Sequence, residues 1–122
     1  MTAIERALAD SLERLDGLDL GDTFEPRAAE AIVAAGLHRL VVPESLGGLG
    51  ARMAEAASVL MRLGAADGST ALGFAMQVHV VGAMVDSAAV PEGLRESVFR
   101  AIVHRRSIVG FVLFLGRRFP CP

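Results

Sequence analysis

Val42-Pro43-Glu44-Ser45-Leu46-Gly47-Gly48-Leu49-Gly50 is the stretch that decides the fold. Three glycines in four positions open backbone conformations that other residues avoid, so residues 43–50 are predicted to form a tight, irregular loop and not a helix. Pro43 favours an extended conformation in the residue before it, and Leu40-Val41-Val42 is predicted as a short extended run. Upstream, Pro26 can open a helix because its missing N–H would have no intrahelical partner in the first turn. Ala29, Ile32 and Val33 are the expected buried face of that helix, and Gly36 its C-terminal stop. Downstream, a helix is predicted over 53–65 with Ala56, Ala57, Leu60 and Leu63 turned inward. Asp67-Gly68-Ser69 then breaks the chain, and Asp67 or Ser69 can cap the next helix.

That next helix, over about 69–84, has an unusual composition. From Gly68 to Val85 there are 18 residues without an acid, a lysine or an arginine, a length that by itself suits a membrane span. Ser69, Thr70, Gly73, Gln77, His79 and Gly82 interrupt the apolar character, and no aromatic belt or basic flank accompanies it. The expectation is therefore no membrane span, but a central helix buried on all sides of a bundle. A fifth helix begins at Pro91, with Leu94, Val98, Phe99, Ile102 and Val103 on its apolar face. At the other end, residues 2–15 read as an amphipathic helix. Thr2 and Glu5 have capping-box spacing, and Ile4, Leu8, Leu12 and Leu15 make one stripe. Asp16 to Asp22 reads as a loop.

The resulting fold class is all-α, a bundle of about five helices over residues 1–107. An atypical apolar tail occupies 108–122. Ile108 to Leu115 is bulky and apolar enough for a buried strand by period alone. A chain of 122 residues with 52% hydrophobic and 21% charged residues is expected to fold as one domain and not to be disordered. A formal net charge of -2 points to no nucleic-acid partner. Beyond Glu96 come Arg100, His104, Arg105, Arg106, Arg117 and Arg118 with no acid among them. Without interleaved aromatics this reads as a solvated helix end and not as a nucleic-acid patch. A lone cysteine, Cys121, cannot form an internal disulfide, and the N-terminus is charged and amphipathic, unlike a signal peptide; a cytoplasmic location is expected.

Signals for chemistry are sparse. The 43–50 loop lacks the Gly-Lys-Ser/Thr of a P-loop and the dinucleotide fingerprint, so a structural turn is the favoured reading. His38, His79 and His104 have no metal-ligand spacing. His79 and Gln77 share the uncharged helix and are expected to be buried and hydrogen-bonded; the sharper alternative turns one of them toward a ligand pocket. Ser58, Ser69 and Ser87 have no triad partners at diagnostic positions, and the five methionines are expected to fill the core. No catalytic residue is assigned.

The order of these features resembles the acyl-CoA dehydrogenase family. Ala34-Ala35-Gly36-Leu37 followed by Pro43-Glu44 and Gly47-Gly48-Leu49-Gly50 is similar to that family's N-terminal helix and Pro-Glu-x-x-Gly-Gly-x-Gly loop. Asp67-Gly68-Ser69-Thr70-Ala71 is similar to the acidic-Gly-Ser opening of its central helix. The likeness covers about 25–105. It implies the helical N-terminal domain of an FAD-dependent oxidoreductase that acts on the CH–CH group of acyl-CoA thioesters. In such enzymes a later carboxylate removes the α-proton and hydride passes from the β-carbon to flavin N5. FAD and the catalytic base belong to later parts, so this chain alone is expected to bind no FAD and to be inactive. Full-length relatives are homo-oligomeric. By the same resemblance Gly73, Gln77 and Val81, at i, i+4 and i+8, are candidates to line an acyl chain. Ile108-Val109-Gly110 fits the start of the family's next strand, but Phe111 to Pro122 does not match, and the Thr/Ser-Glu-Pro stretch is missing. A truncated or frameshifted end is therefore expected. Two other readings stay open: the N-terminal domain of a related flavin-dependent monooxygenase, and a stand-alone helical protein-interaction module.

Overall fold

In a computed structural model, residues 1–21 and 25–104 are described. The tail at 108–122 and its predicted strand lie outside them. Among the described residues there are five α-helices and no strand: α1 Ala3–Asp16, α2 Pro26–Ala34, α3 Met53–Ala66, α4 Gly68–Asp86 and α5 Glu92–His104. Two single turns of 3₁₀-helix, Leu37–Arg39 and Glu44–Leu46, lie between α2 and α3.

Local chemistry starts and stops these helices where the sequence places the signals. At α1 the Thr2 N–H donates to a Glu5 carboxylate oxygen at 2.6 Å, and the Glu5 N–H donates to the Thr2 hydroxyl at 3.1 Å, a complete capping box. At α2 Pro26 occupies the first turn, and the Glu25 carboxylate accepts from the Arg27 N–H at 3.0 Å. Gly36 follows with φ of 80°, the left-handed conformation that ends a helix without a Cβ penalty. The Asp67 carboxylate accepts from the Thr70 N–H at 3.1 Å and from the Thr70 hydroxyl, so the single residue that closes α3 also caps α4.

The expected extended run at 40–42 is absent. Leu40 takes helical angles after the first 3₁₀ turn, and the Leu40 N–H donates to the Leu37 carbonyl at 3.0 Å. Three apolar residues before a proline read equally well as a strand or as a wound, buried connection. Here Leu37, Leu40 and Val42 are all driven into the core, which a wound segment achieves with closely spaced side chains.

The core gathers Leu8 and Leu15 of α1, Ile32 of α2, Leu63 of α3, Phe74 of α4 and Phe99 and Ile102 of α5 around that segment. α3 and α4 form its principal antiparallel pair. A Cβ built on Gly64 would meet the Ala71 Cβ at 3.7 Å, and one built on Gly82 would meet Met53 at 3.9 Å, so the two helices lie side by side over most of their length. Inward positions differ from expectation by a fraction of a turn. α3 buries Ala56, Val59 and Leu63 while Ala57 is exposed, and α2 buries Ala28 and Ala31 with Ile32 while Ala29 and Val33 are half-buried. Leu94 of α5 is exposed. Of the five methionines Met84 alone packs, half-buried, against the core, while Met1, Met53, Met61 and Met76 are exposed.

Candidate functional site

The glycine loop is built from its own backbone. The Gly47 N–H donates to Glu44, Gly48 to Pro43, Leu49 to Arg39, Gly50 to Val42 and Ala51 to Leu40, all at 2.8–3.0 Å. A phosphate cradle needs several such N–H groups directed at the ligand. Here five successive donors are spent on the chain's own carbonyls, so the loop does not fit the pyrophosphate of a flavin dinucleotide. Two positive-φ glycines, Gly47 and Gly50, turn the chain. Gly48 is required for another reason: a Cβ there would lie 1.9 Å from the Val42 carbonyl oxygen. Arg39 ties the loop to the end of α2, its guanidinium donating to the Gly36 carbonyl at 3.3 Å and to the Gly47 carbonyl at 2.9 Å. Beside the loop a groove of about 550 Å³ runs between Glu44, Arg52, Met53, Gly82 and Asp86.

Gly73, Gln77 and Val81 do share one face of α4, and all three are buried. That face turns into the chain's own core. The Gln77 side-chain amide donates to the His38 backbone carbonyl at 2.5 Å, joining the middle of α4 to the first 3₁₀ turn across 39 residues of sequence. Burial of a primary amide is tolerable when its donors are used. In the described chain these three residues are therefore internal packing.

The histidines are arranged otherwise than expected. His79 is exposed, about 200° around the helix from Gln77, and the buried histidine is His38. No group of three or more His, Cys, Asp or Glu able to hold a metal occurs among the described residues.

α4 is also not buried on all sides. One half of its circumference carries Thr70, Gly73, Phe74, Gln77, Val78 and Val81 into the core. The other half presents Leu72, Met76 and Val80 to solvent at 64%, 49% and 40% exposure. This face was not found from the sequence, because α4 is apolar around its whole circumference and the pattern distinguishes no inner side. By length and composition alone α4 is the described helix that could cross a membrane, and it is packed on α3 along one side.

Comparison with known proteins agrees with the order of loop, cap and helix. The family described as acyl-CoA dehydrogenase, N-terminal domain, matches residues 2–98. A curated protein, the L-evernosamine nitrososynthase of a Micromonospora strain, is 41% identical over 76 residues. That stretch is 62% of this chain and 17% of the nitrososynthase, so the chain spans a small part of its relative. No solved structure matches.

Proposed function

The chain belongs to the acyl-CoA dehydrogenase N-terminal domain family, and from that premise we propose that it serves as the helical N-terminal domain of a flavin-dependent oxidoreductase acting on the CH–CH group of acyl-CoA thioesters. The observation that carries this reading is the family match over 2–98, which takes in the glycine loop, the Asp67 cap and the uncharged helix α4 together. The glycine loop is not the flavin's phosphate site, since its backbone donors are already committed, and by the family reading the flavin belongs to other parts of the enzyme. This domain's part is then physical. It offers a dry wall, with Leu72, Met76 and Val80 on its surface. Gly73, Gln77 and Val81 set that wall from behind, Gln77 through its bond to His38. Excluding water strengthens the electrostatic interactions on which α-proton removal depends.

A second reading is favoured by the relative's name. A nitrososynthase oxidises nitrogen, and a domain of the same family could wall the site of a flavin-dependent monooxygenase. Grafting separates the two. Residues 1–104 would replace the corresponding domain in an acyl-CoA dehydrogenase and, separately, in the nitrososynthase. The expected result is a yellow, acyl-CoA-oxidising dehydrogenase chimera. Turnover recovered only in the nitrososynthase chimera would move the assignment to the second reading. Colourless, inactive chimeras in both backgrounds would remove it.

A further inference from the structure

Asp16-Gly17 and Asp67-Gly68 are the two places where an aspartate precedes a glycine. No side chain shields a glycine nitrogen, so at such a pair it can reach the aspartate's own carboxyl. The fold treats the two pairs in opposite ways. Asp67 stands half-buried between α3 and α4, and its carboxylate accepts from the Thr70 N–H at 3.1 Å and from the Thr70 hydroxyl. Its carbonyl accepts from the Ala71 N–H at 3.1 Å, and its own N–H donates to the Leu63 carbonyl at 2.8 Å, so side chain and backbone are both held. Asp16 is the last residue of α1 and is exposed, and its carboxylate has no hydrogen bond or ion pair among the described residues. The exposed Gly17 directs its N–H to the Leu15 carbonyl, two residues back, in place of a full helical bond.

We propose that Asp16 is a site of spontaneous backbone modification. The Gly17 nitrogen adds to the Asp16 Cγ. The protonated carboxyl gives up its hydroxyl and the nitrogen its proton; the two leave as water, and a cyclic imide remains. Hydrolysis then returns one water. Attack at Cγ restores the aspartate. Attack at the Asp16 carbonyl carbon leaves the chain running through Cγ, an isoaspartate of unchanged mass with a free α-carboxylate. No oxidant or cofactor takes part. The step needs rotation about the Asp16 Cα–C bond, which a last helical residue gains as the helix end frays. At Asp67 the same rotation would break the α4 cap. The consequence falls on the core edge. Leu15 is buried, Leu18 packs against the core, and the Leu18 N–H donates to the Leu15 carbonyl at 3.0 Å across the pair. An extra backbone atom at 16 lengthens that joint and breaks the turn. The site is independent of the proposed reaction.

Incubation of the full chain in heavy-oxygen water, at neutral pH and physiological temperature over weeks, tests it. Trypsin cleavage at Arg14 and Arg27 isolates 15–27, and cleavage at Arg62 and Arg95 isolates 63–95. Fragment ions place the label at 16 or at 67. Expected is a second, separately eluting form of 15–27 carrying one heavy oxygen. The 63–95 peptide should convert at least about fivefold more slowly, the factor that one helix cap supplies. Guanidinium chloride that unfolds the chain should remove this gap. Gly17→Ala adds a Cβ whose nearest neighbour is the Arg14 carbonyl oxygen at 3.6 Å, at an ordinary φ of -79°. That variant should fold as the parent does and suppress the conversion of 15–27. Equal rates for the two peptides in the folded chain overturn the proposal. So does a 15–27 peptide that stays single, faster conversion of 63–95, a gap that persists in the denaturant, or conversion at 16 unchanged in Gly17→Ala.

Discussion

At Gly48 one methyl group decides whether the loop can close. The 1.9 Å approach that a Cβ would make to the Val42 carbonyl involves backbone on both sides, which cannot swing away as a flexible side chain would. Gly48→Ala should therefore cost about 3 kcal/mol or more, at the upper end of overpacking effects, in urea unfolding. Gly21→Ala, where no atom of the described residues lies within 4 Å, is the control and should change little. A loss at Gly48 no larger than the control's would show that the loop shifts freely. Gln77 gives a second test. Gln77→Leu keeps bulk but removes the donor to the His38 carbonyl, and should cost about 1–3 kcal/mol as a buried acceptor loses that bond. The sequence showed that three glycines make a turn. It did not show that the indispensable one is the glycine with negative φ, since that depends on where Val42 comes to rest.

Among the elements, caps were the most legible features, because a cap is settled within four residues. Thr2 with Glu5, Pro26, Gly36 and Asp67 all act at the helix ends that their spacing predicts. Asp67→Ala should cost about 1 kcal/mol, measurable as a lowered unfolding midpoint. The α1 cap also gives a pH dependence. The Thr2 backbone N–H, followed by the Thr2 side chain, holds the Glu5 carboxyl below its ordinary value. A carboxyl depressed in the folded state contributes stability that is fully present above its unfolded value. That contribution is lost as pH falls through the lower, folded value. Acidification through the carboxylate range should thus fray the first turn of α1 before the rest, seen as lower amide protection at residues 5 and 6 relative to intrinsic exchange at the same pH. Glu5→Gln, which removes the titrating group, should abolish the difference; equal fraying in both proteins would assign it to other carboxylates. Facing was less legible than capping. α3 and α2 turned by a fraction of a turn from their expected inward sets, since neighbouring alanines are equally acceptable inside or outside.

Over the whole molecule, stability rests on a small set of large side chains from distant parts of the chain. Phe74 and Phe99 are fully buried, and Phe74→Ala should cost about 3–5 kcal/mol by calorimetry or urea titration, whereas Leu94→Ala at an exposed position should change stability by roughly 0.5 kcal/mol or less. The amino-acid sequence by itself determined the all-α class, the five helices, their caps and the glycine loop, and the resemblance that the family match bears out. These signals act over one or two turns of chain, where spacing alone fixes which groups can meet. Tertiary structure decided the rest. It wound Leu40 to Val42 instead of extending them, buried His38 and left His79 in solvent, and exposed Met61 and Met76. It also chose which half of α4 became core. The physical reason is that a uniformly apolar helix carries no amphipathic preference of its own, so its orientation is set by partners remote in sequence, here the Leu37–Arg39 turn and α3.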